Sequence, residues 1–337
     1  MSRFDFKRFA GVAIATLLST SGVAHALDKV VMGTGWLAEA EHGGFYQAVA
    51  DGTYAKMGLD VTIIMGGPQV PNRAKLIAGQ VQFLVGSTFE AFDEVDNNIP
   101  VITVAAMFQK DPQCMLAHPD QHIEDMGDLA KLDKLYLAGD GYDTFFRWMK
   151  AKYPGFKDEQ YAPYTFNPGP FIANPRVGQQ AYITSEPYAI EKMTGWAPKA
   201  FLLADYGYDA YATTLETQKS LVDSNPDLVQ RFVDASTIGW YNYLYGDNKG
   251  ANDLIKKDNP EMTDDQIAFS IKQMKAYHIL ISGDAEKEGI GCMTDARYKS
   301  FFDSMVAAKV IKASLDYKKA YTTKFVCKGV GKDLVKP

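Results

Sequence analysis

Behind an apolar run at its amino end, the chain alternates short β-branched stretches with longer segments whose apolar residues recur at helical spacing. KVVMGT (Lys29 to Thr34) alternates and reads as a strand. The next segment sets Phe45, Val49 and Tyr54 on one side, runs as helix to about Lys56, stops at Gly58 and hands over to the strand DVTIIM, Asp60 to Met65. Strand, helix and strand at that spacing make a βαβ crossover. Trp36 and His42 fall in its loop and first helical turn, where open α/β sheets bind ligands.

The pattern continues with a short helix from Asn72 to Ala78, ended by Gly79, and with the buried strand VQFLVG (Val81 to Gly86). Ser87 and Thr88 stand where a cap belongs, ahead of FEAFDEVDNN, and the strand VITVAAMF (Val101 to Phe108) follows. QCMLAHP (Gln113 to Pro119) reads as the way out of a first lobe. The alternation then restarts with the strand LYLAG (Leu135 to Gly139) and a helix beginning near Asp143 that carries Phe146, Trp148, Met149 and Tyr153. YAPYTFNPGPF, AYITSEPYAIEK (Ala181 to Lys192) and the strand AFLLADY (Ala200 to Tyr206) complete this part. From DAYATTLET onward the chain re-enters the first lobe and is mostly helical, with Asn225, Thr263 and Thr294 as caps. Its longest helix sets Val229, Phe232, Val233, Ile238 and Tyr241 on an apolar face. The expected architecture is α/β: a discontinuous first lobe (27–116 and 208–337), a second lobe (117–207) and a ligand cleft between them.

The first 26 residues read as a secretory leader, with Arg3, Lys7 and Arg8 ahead of FAGVAIATLL and AHA (Ala24 to Ala26) as the cleavage site, so the expected location is the periplasm. Ten apolar residues are too few for a spanning helix, which needs about 20. Loss of the leader removes three basic residues and Asp5, taking the formal charge from -6 to -8. An acidic surface excludes nucleic acid as a partner, because that binding needs a basic footprint. Three cysteines, Cys114, Cys292 and Cys327, match no zinc spacing. In an oxidising compartment Cys292 and Cys327 would close a C-terminal loop; separate buried thiols are the other reading. No nucleophile elbow, metalloprotease or phosphate-loop motif is present, so no catalytic residue, metal or cofactor is expected.

Taken in order, the leader, WxxxxxHxGFYxA, GxYxxxGLDVxIxxGGP, AGQxxF, PVxxVAAMFQKDPQ, DLxxLDKL and NPDLVQRFVDAS resemble the periplasmic solute-binding proteins of ABC importers. The likeness is to the branch that includes nitrate, sulfonate and taurine binders and binders of thiamine pyrimidine precursors. It implies a type II periplasmic binding protein fold and a monomer that closes on a small solute and docks on a membrane permease. Trp36 with His42 reproduces the spacing of the pyrimidine-precursor binders, and Glu186 falls where those proteins keep a glutamate. Where such relatives usually carry Asn or Asp before the tryptophan, this chain has Gly35. The resemblance also raises a second possibility, a pyrimidine-synthase enzyme on the same fold. That enzyme uses a histidine and a cysteine-rich run; here Glu90 occupies the histidine's place and no cysteine run exists.

The candidate ligand-binding set follows. Trp36 offers a stacking face, and His42 a polar contact or a helix-start packing role. Gly66 and Gly67, in a tight turn with Pro68, would present backbone N–H groups. Ser87 and Thr88 either cap or contact, and so do Asp143 and Thr144 across the cleft. Glu186 can pair in two-point fashion with an aminopyrimidine. Tyr164, Phe166 and Tyr188 are candidates for a second stacking face. His118, His122 and His278 read as solvated or loop residues.

Overall fold

The computed structural model describes Met1 and residues 26–67 and 69–335. The leader expected over the first 26 residues lies, except for its two ends, outside the described residues, and so does Pro68. Ten strands form two mixed five-stranded sheets. The first holds β1 (Asp28–Gly33), β2 (Leu59–Ile64), β3 (Phe83–Gly86), β4 (Val101–Phe108) and β10 (Ala212–Gln218), in the order β2-β1-β3-β10-β4. The second holds β5 (Gln113–Ala117), β6 (Lys134–Leu137), β7 (Tyr161–Pro163), β8 (Val177–Tyr182) and β9 (Lys199–Leu202), in the order β7-β6-β8-β5-β9. In each sheet four strands share one direction, three of them as adjacent parallel pairs, and the strand next to the edge, β10 or β5, is antiparallel to both neighbours.

The chain therefore crosses between the sheets twice. It leaves after Phe108 and returns ahead of Ala212; the second sheet already begins at Gln113, a few residues before the change of lobe expected at 117. Arg297 ties the two crossings together. Its guanidinium donates to the Gln109 carbonyl, pairs with Asp209 at 2.8 Å and lies over the Tyr211 ring at 4.4 Å.

Strand β4 bonds to its sheet through β10 alone. Its other edge is not left bare, because a row of free backbone groups invites pairing with other chains. Ala106 donates to the Gly291 carbonyl at 3.0 Å, and Thr103 exchanges backbone bonds with Ala320 and Thr322 at 2.9 Å each. Cys292 and Cys327, one beside each covering segment, are joined as a disulfide.

The long helix Pro226–Tyr245 starts where Asn225 accepts the Leu228 N–H, and it buries Val229, Phe232, Val233 and Trp240. It lies very close to the helix Gly43–Ala50. A Cβ built on Gly43 would come 2.1 Å from Tyr243, one on Gly44 2.2 Å from Trp240, and one on Gly239 2.2 Å from the Gly44 carbonyl. The two glycines after His42 are thus packing residues, which lets Phe45 meet Trp240 edge-on at 5.7 Å. Ser87, Thr263 and Thr294 each cap a helix through the side-chain oxygen.

Several expectations need correction. The helix expected to run to Lys56 breaks at Asp51 and Gly52, where the glycine takes φ +74, and resumes as one turn. The strand expected over Ala200–Tyr206 is β only to Leu202; Leu203–Tyr206 is a tight helical turn stopped by Gly207 at φ +94. The helix expected to begin near Asp143 begins at Gly139. His118 lies in the loop just after β5, as one of its two readings had it, but buried: a ring nitrogen bonds the Phe171 carbonyl at 2.7 Å and the ring packs on Phe171 and Trp196. His122 and His278 are exposed.

Candidate functional site

A cleft of about 400 Å³ opens between the lobes. The first lobe contributes the loop after β1. There Thr34 donates through its hydroxyl to the Trp36 carbonyl at 2.6 Å, and Gly66 donates its N–H to both Trp36 O (3.0 Å) and Thr34 Oγ1 (2.8 Å). These bonds fix the Trp36 loop at the cleft. Gly35 allows it to run against β3, since an added Cβ would sit 3.0 Å from the Val85 carbonyl. The following turn, Ala40–His42, is flanked by Glu39 in extended backbone and presents Glu39, Glu41 and His42 to the cleft. Ser87 and Thr88 face it from the next loop. Both are also structural: Ser87 caps the Thr88–Asp96 helix at Glu90 N, and Thr88 donates to the Tyr211 carbonyl at 2.9 Å.

The second lobe contributes Asp111 from the outgoing crossing, Asp140, Thr144 and Phe145 from the helical turn after β6, and Phe166 from the loop after β7. Gln180 and Tyr182 come from β8, and Glu186 from the start of the helix Glu186–Thr194. Gln180 is held by accepting the Ala138 N–H at 2.7 Å, and Glu186 by accepting the Tyr182 N–H at 2.8 Å. Trp36 and Phe166, one from each lobe, meet with ring centroids 5.1 Å apart. Phe166 is 53 % exposed and takes φ +58, a left-handed backbone unusual for an aromatic residue.

Of the residues proposed from the sequence as ligand contacts, Trp36, His42, Ser87, Thr88, Thr144, Phe166 and Glu186 lie in this wall. The others do not. Gly66 and Gly67 buttress the Trp36 loop from behind, and a Cβ on Gly66 would lie 2.4 Å from the Thr34 carbonyl. Asp143 points out to solvent and pairs with Arg147 at 2.8 Å, because the helix starts a turn earlier and rotates it away. Tyr164 is buried behind Phe166, 5.2 Å between centroids, and its hydroxyl accepts from Gln179. Tyr188 packs on Phe269 of the Asp264–Ala276 helix at 5.4 Å, near where Ser270 donates to the Thr184 carbonyl at 2.7 Å, so it belongs to the contact between the lobes. Missed altogether were Glu39, Glu41, Asp111, Asp140 and Gln180. For the two glutamates a signal existed: AEAEH alternates acid with alanine in a segment otherwise built to be buried.

The wall is strongly acidic. Glu39, Glu41, Glu90, Asp111, Asp140 and Glu186 line it, and none of the described lining residues is Lys or Arg. Arg73 reaches Glu90 (3.1 Å) from behind, but the same guanidinium also serves Glu94 and the buried Glu216. Burial raises Glu41 to about 7, with the Thr184 side chain opposing and Glu186 adding to the rise. Burial also raises Glu39 well above the ordinary range, helped by the charges of Glu41 and Glu186. Burial raises Glu186, against the Tyr182 N–H, and takes Asp111 to about 7, against the Gln113 N–H. His42 moves the other way, to about 4 by burial, and is therefore neutral at physiological pH. The site is a set of acceptors that share too few protons.

Two mixed sheets joined by paired crossings around a cleft define the periplasmic binding protein fold. Within that class, the chain belongs to the NMT1/THI5-like family, whose model matches residues 39–247. Riboflavin-binding protein RibY of Chloroflexus aurantiacus is 22% identical over 309 residues, 89% of this chain and 86% of the relative. Among solved structures, the putative sulfonate ABC transporter component SsuA of Methylobacillus flagellatus, a periplasmic sulfonate-binding protein, superposes with TM-score 0.61 at 13% identity, covering 89% of this chain and 93% of that one. The desulfurization enzyme DszB superposes with TM-score 0.57 at 11% identity, over 88% and 97% of the two chains, so the fold also supports catalysis.

Proposed function

We propose that this protein is the extracytoplasmic, periplasmic solute-binding component of an ABC importer, a non-enzymatic monomer that closes on a small aromatic heterocycle and delivers it to a membrane permease. The first candidate is a thiamine pyrimidine precursor. A flavin is the second, favoured by the likeness to RibY. The observation that carries the reading is the Trp36–Phe166 pair, two aromatic faces from opposite lobes at the mouth of an acceptor-rich cleft. A flat ring packed against this pair from within the cleft touches both lobes, and contacts made only when the lobes are together give the differential affinity that closure requires.

The same wall speaks against the sulfonate, taurine and nitrate binders of the branch, since an anion would face six carboxylates and no described Lys or Arg. Among the described residues, no helix is long and apolar enough to cross a membrane. The enzyme alternative lacks the histidine and cysteine run it would need: Glu90, in the histidine's place, is held by Arg73, and Cys114, buried in β5, is outside the cleft wall. Isothermal calorimetry with hydroxymethylpyrimidine, riboflavin, taurine and nitrate tests the proposal. Micromolar or tighter binding of a heterocycle, weakened at least tenfold by Trp36→Ala, is expected. Binding of taurine or nitrate alone, or turnover of a bound heterocycle detected by mass spectrometry, would refute it.

A further inference from the structure

Two buried groups on one turn of the cleft wall each keep an atom without a hydrogen-bond partner. Glu41 is 3 % exposed and its Oε1 has no hydrogen-bond partner; neighbouring His42 is 4 % exposed and its Nδ1 has none either. Buried polar atoms in folded proteins are almost always paired, so an orphaned pair facing a cleft marks where a missing donor belongs. The imidazole is neutral, and the Leu37 carbonyl is the acceptor set against its ring. With its one N–H turned to that carbonyl, the other ring nitrogen offers a lone pair. Glu39 from the same loop and Glu186 from the opposite lobe bring two more carboxyl groups within mutual electrostatic reach.

A neutral solute would satisfy the two orphans yet leave three carboxyl groups crowded together. A metal ion would offset the charge, but no group of three or more His, Cys, Asp or Glu among the described residues is arranged to hold one. What meets both needs is positive charge carried on nitrogen with several N–H donors. We propose that the solute carries an amidinium-type cation, received by Glu39, Glu41 and Glu186 with the His42 imidazole accepting one of its N–H groups.

This rests on the solute-binding reading above and narrows it. Charge on the solute would then drive closure, because the cation meets Glu186 of one lobe and Glu39 and Glu41 of the other only when they approach. An aminopyrimidine enters such a site in its protonated form.

The test uses three ring compounds of one shape, cationic benzamidine, neutral benzamide and anionic benzoate, with the full-length mature protein at pH 7.5, alongside riboflavin and hydroxymethylpyrimidine. Thermal shift and calorimetry should rank benzamidine at least about tenfold above benzamide, since a charge-assisted hydrogen bond is about twice as strong as a neutral one, with benzoate weakest. Glu41→Gln and Glu186→Gln, both isosteric, should each erase that preference with the protein still folded by circular dichroism. Equal affinity for the three, or a preference for benzoate, overturns the cation and leaves solute capture standing. So does tight binding of riboflavin or hydroxymethylpyrimidine that Glu41→Gln does not weaken. Silence with every compound overturns both readings together.

Discussion

Replacing Glu41 by Gln should stabilise the protein without solute, and do so in proportion to pH. The folded state holds the Glu41 proton up to about 7 where an exposed carboxyl loses it near 4.5. A raised folded value means that this group's contribution to stability is fully present below the unfolded value and is lost as pH rises through the folded one. At about 1.4 kcal/mol per unit, the ionised carboxylate costs roughly 3 kcal/mol at alkaline pH, nearly all of it already present at pH 8 and about 1 kcal/mol at pH 5. These are ceilings, because removing one charge also relaxes Glu39 and Glu186, which feel it. Gln keeps the shape and never ionises. Urea unfolding of both proteins at pH 5 and pH 8, with unchanged slopes, should show a gain at pH 8 exceeding that at pH 5 by up to roughly 2 kcal/mol. An equal shift at both values, or destabilisation at pH 8, would mean that burial does not penalise this carboxylate. A positive result makes Glu41 a residue kept at the expense of stability, as sites built for a ligand commonly are.

Other outcomes follow from packing and connectivity. Gly44→Ala drives a methyl into Trp240, 2.2 Å from the built Cβ, and thermal unfolding should show a loss of about 1–3 kcal/mol or more from overpacking. Cys292→Ser with Cys327→Ser opens a loop with sequence separation 35, and chain entropy predicts a loss of about 3.8 kcal/mol, read from guanidinium unfolding; alkylation of the wild type without reductant should label Cys114 at most. Arg297→Met unties the two crossings, so the radius of gyration by X-ray scattering should rise and stability fall by about 1–3 kcal/mol, both reversed in part by a bound heterocycle.

The sequence carried the alternation of strands and helices, since each depends on local periodicity and on caps a few residues away: Ser87, Asn225, Thr263 and Thr294 all cap as their positions imply. It also carried Trp36, His42 and Glu186 into one cleft, though only the resemblance linked the glutamate to the other two. What stayed hidden depends on contacts distant in sequence. Asp111 looks like an ordinary loop acid, and even for Glu39 and Glu41, hinted at by AEAEH, only the facing lobe shows what they are for. Tyr188 fits a stacking face until Phe269 arrives from a helix of the other lobe. Asp143 was lost to a single turn of helix, because GDG before it is too glycine-rich to read as helical and yet is.

The position of β10 governs the order in which this molecule can form. Residues up to Phe108 supply four strands of the first sheet but not the one that joins β4 to β3, which is made only after the whole second sheet has been synthesised. A nascent chain emerging in order therefore holds an incomplete amino-terminal half, with two unpaired inner edges, while the contiguous stretch from Gln113 to Leu202 already contains all five of its strands. The middle of the chain should fold first and the ends close around it. Any truncation before Gln218 should leave the first half unable to assemble, however much of its own sequence is present.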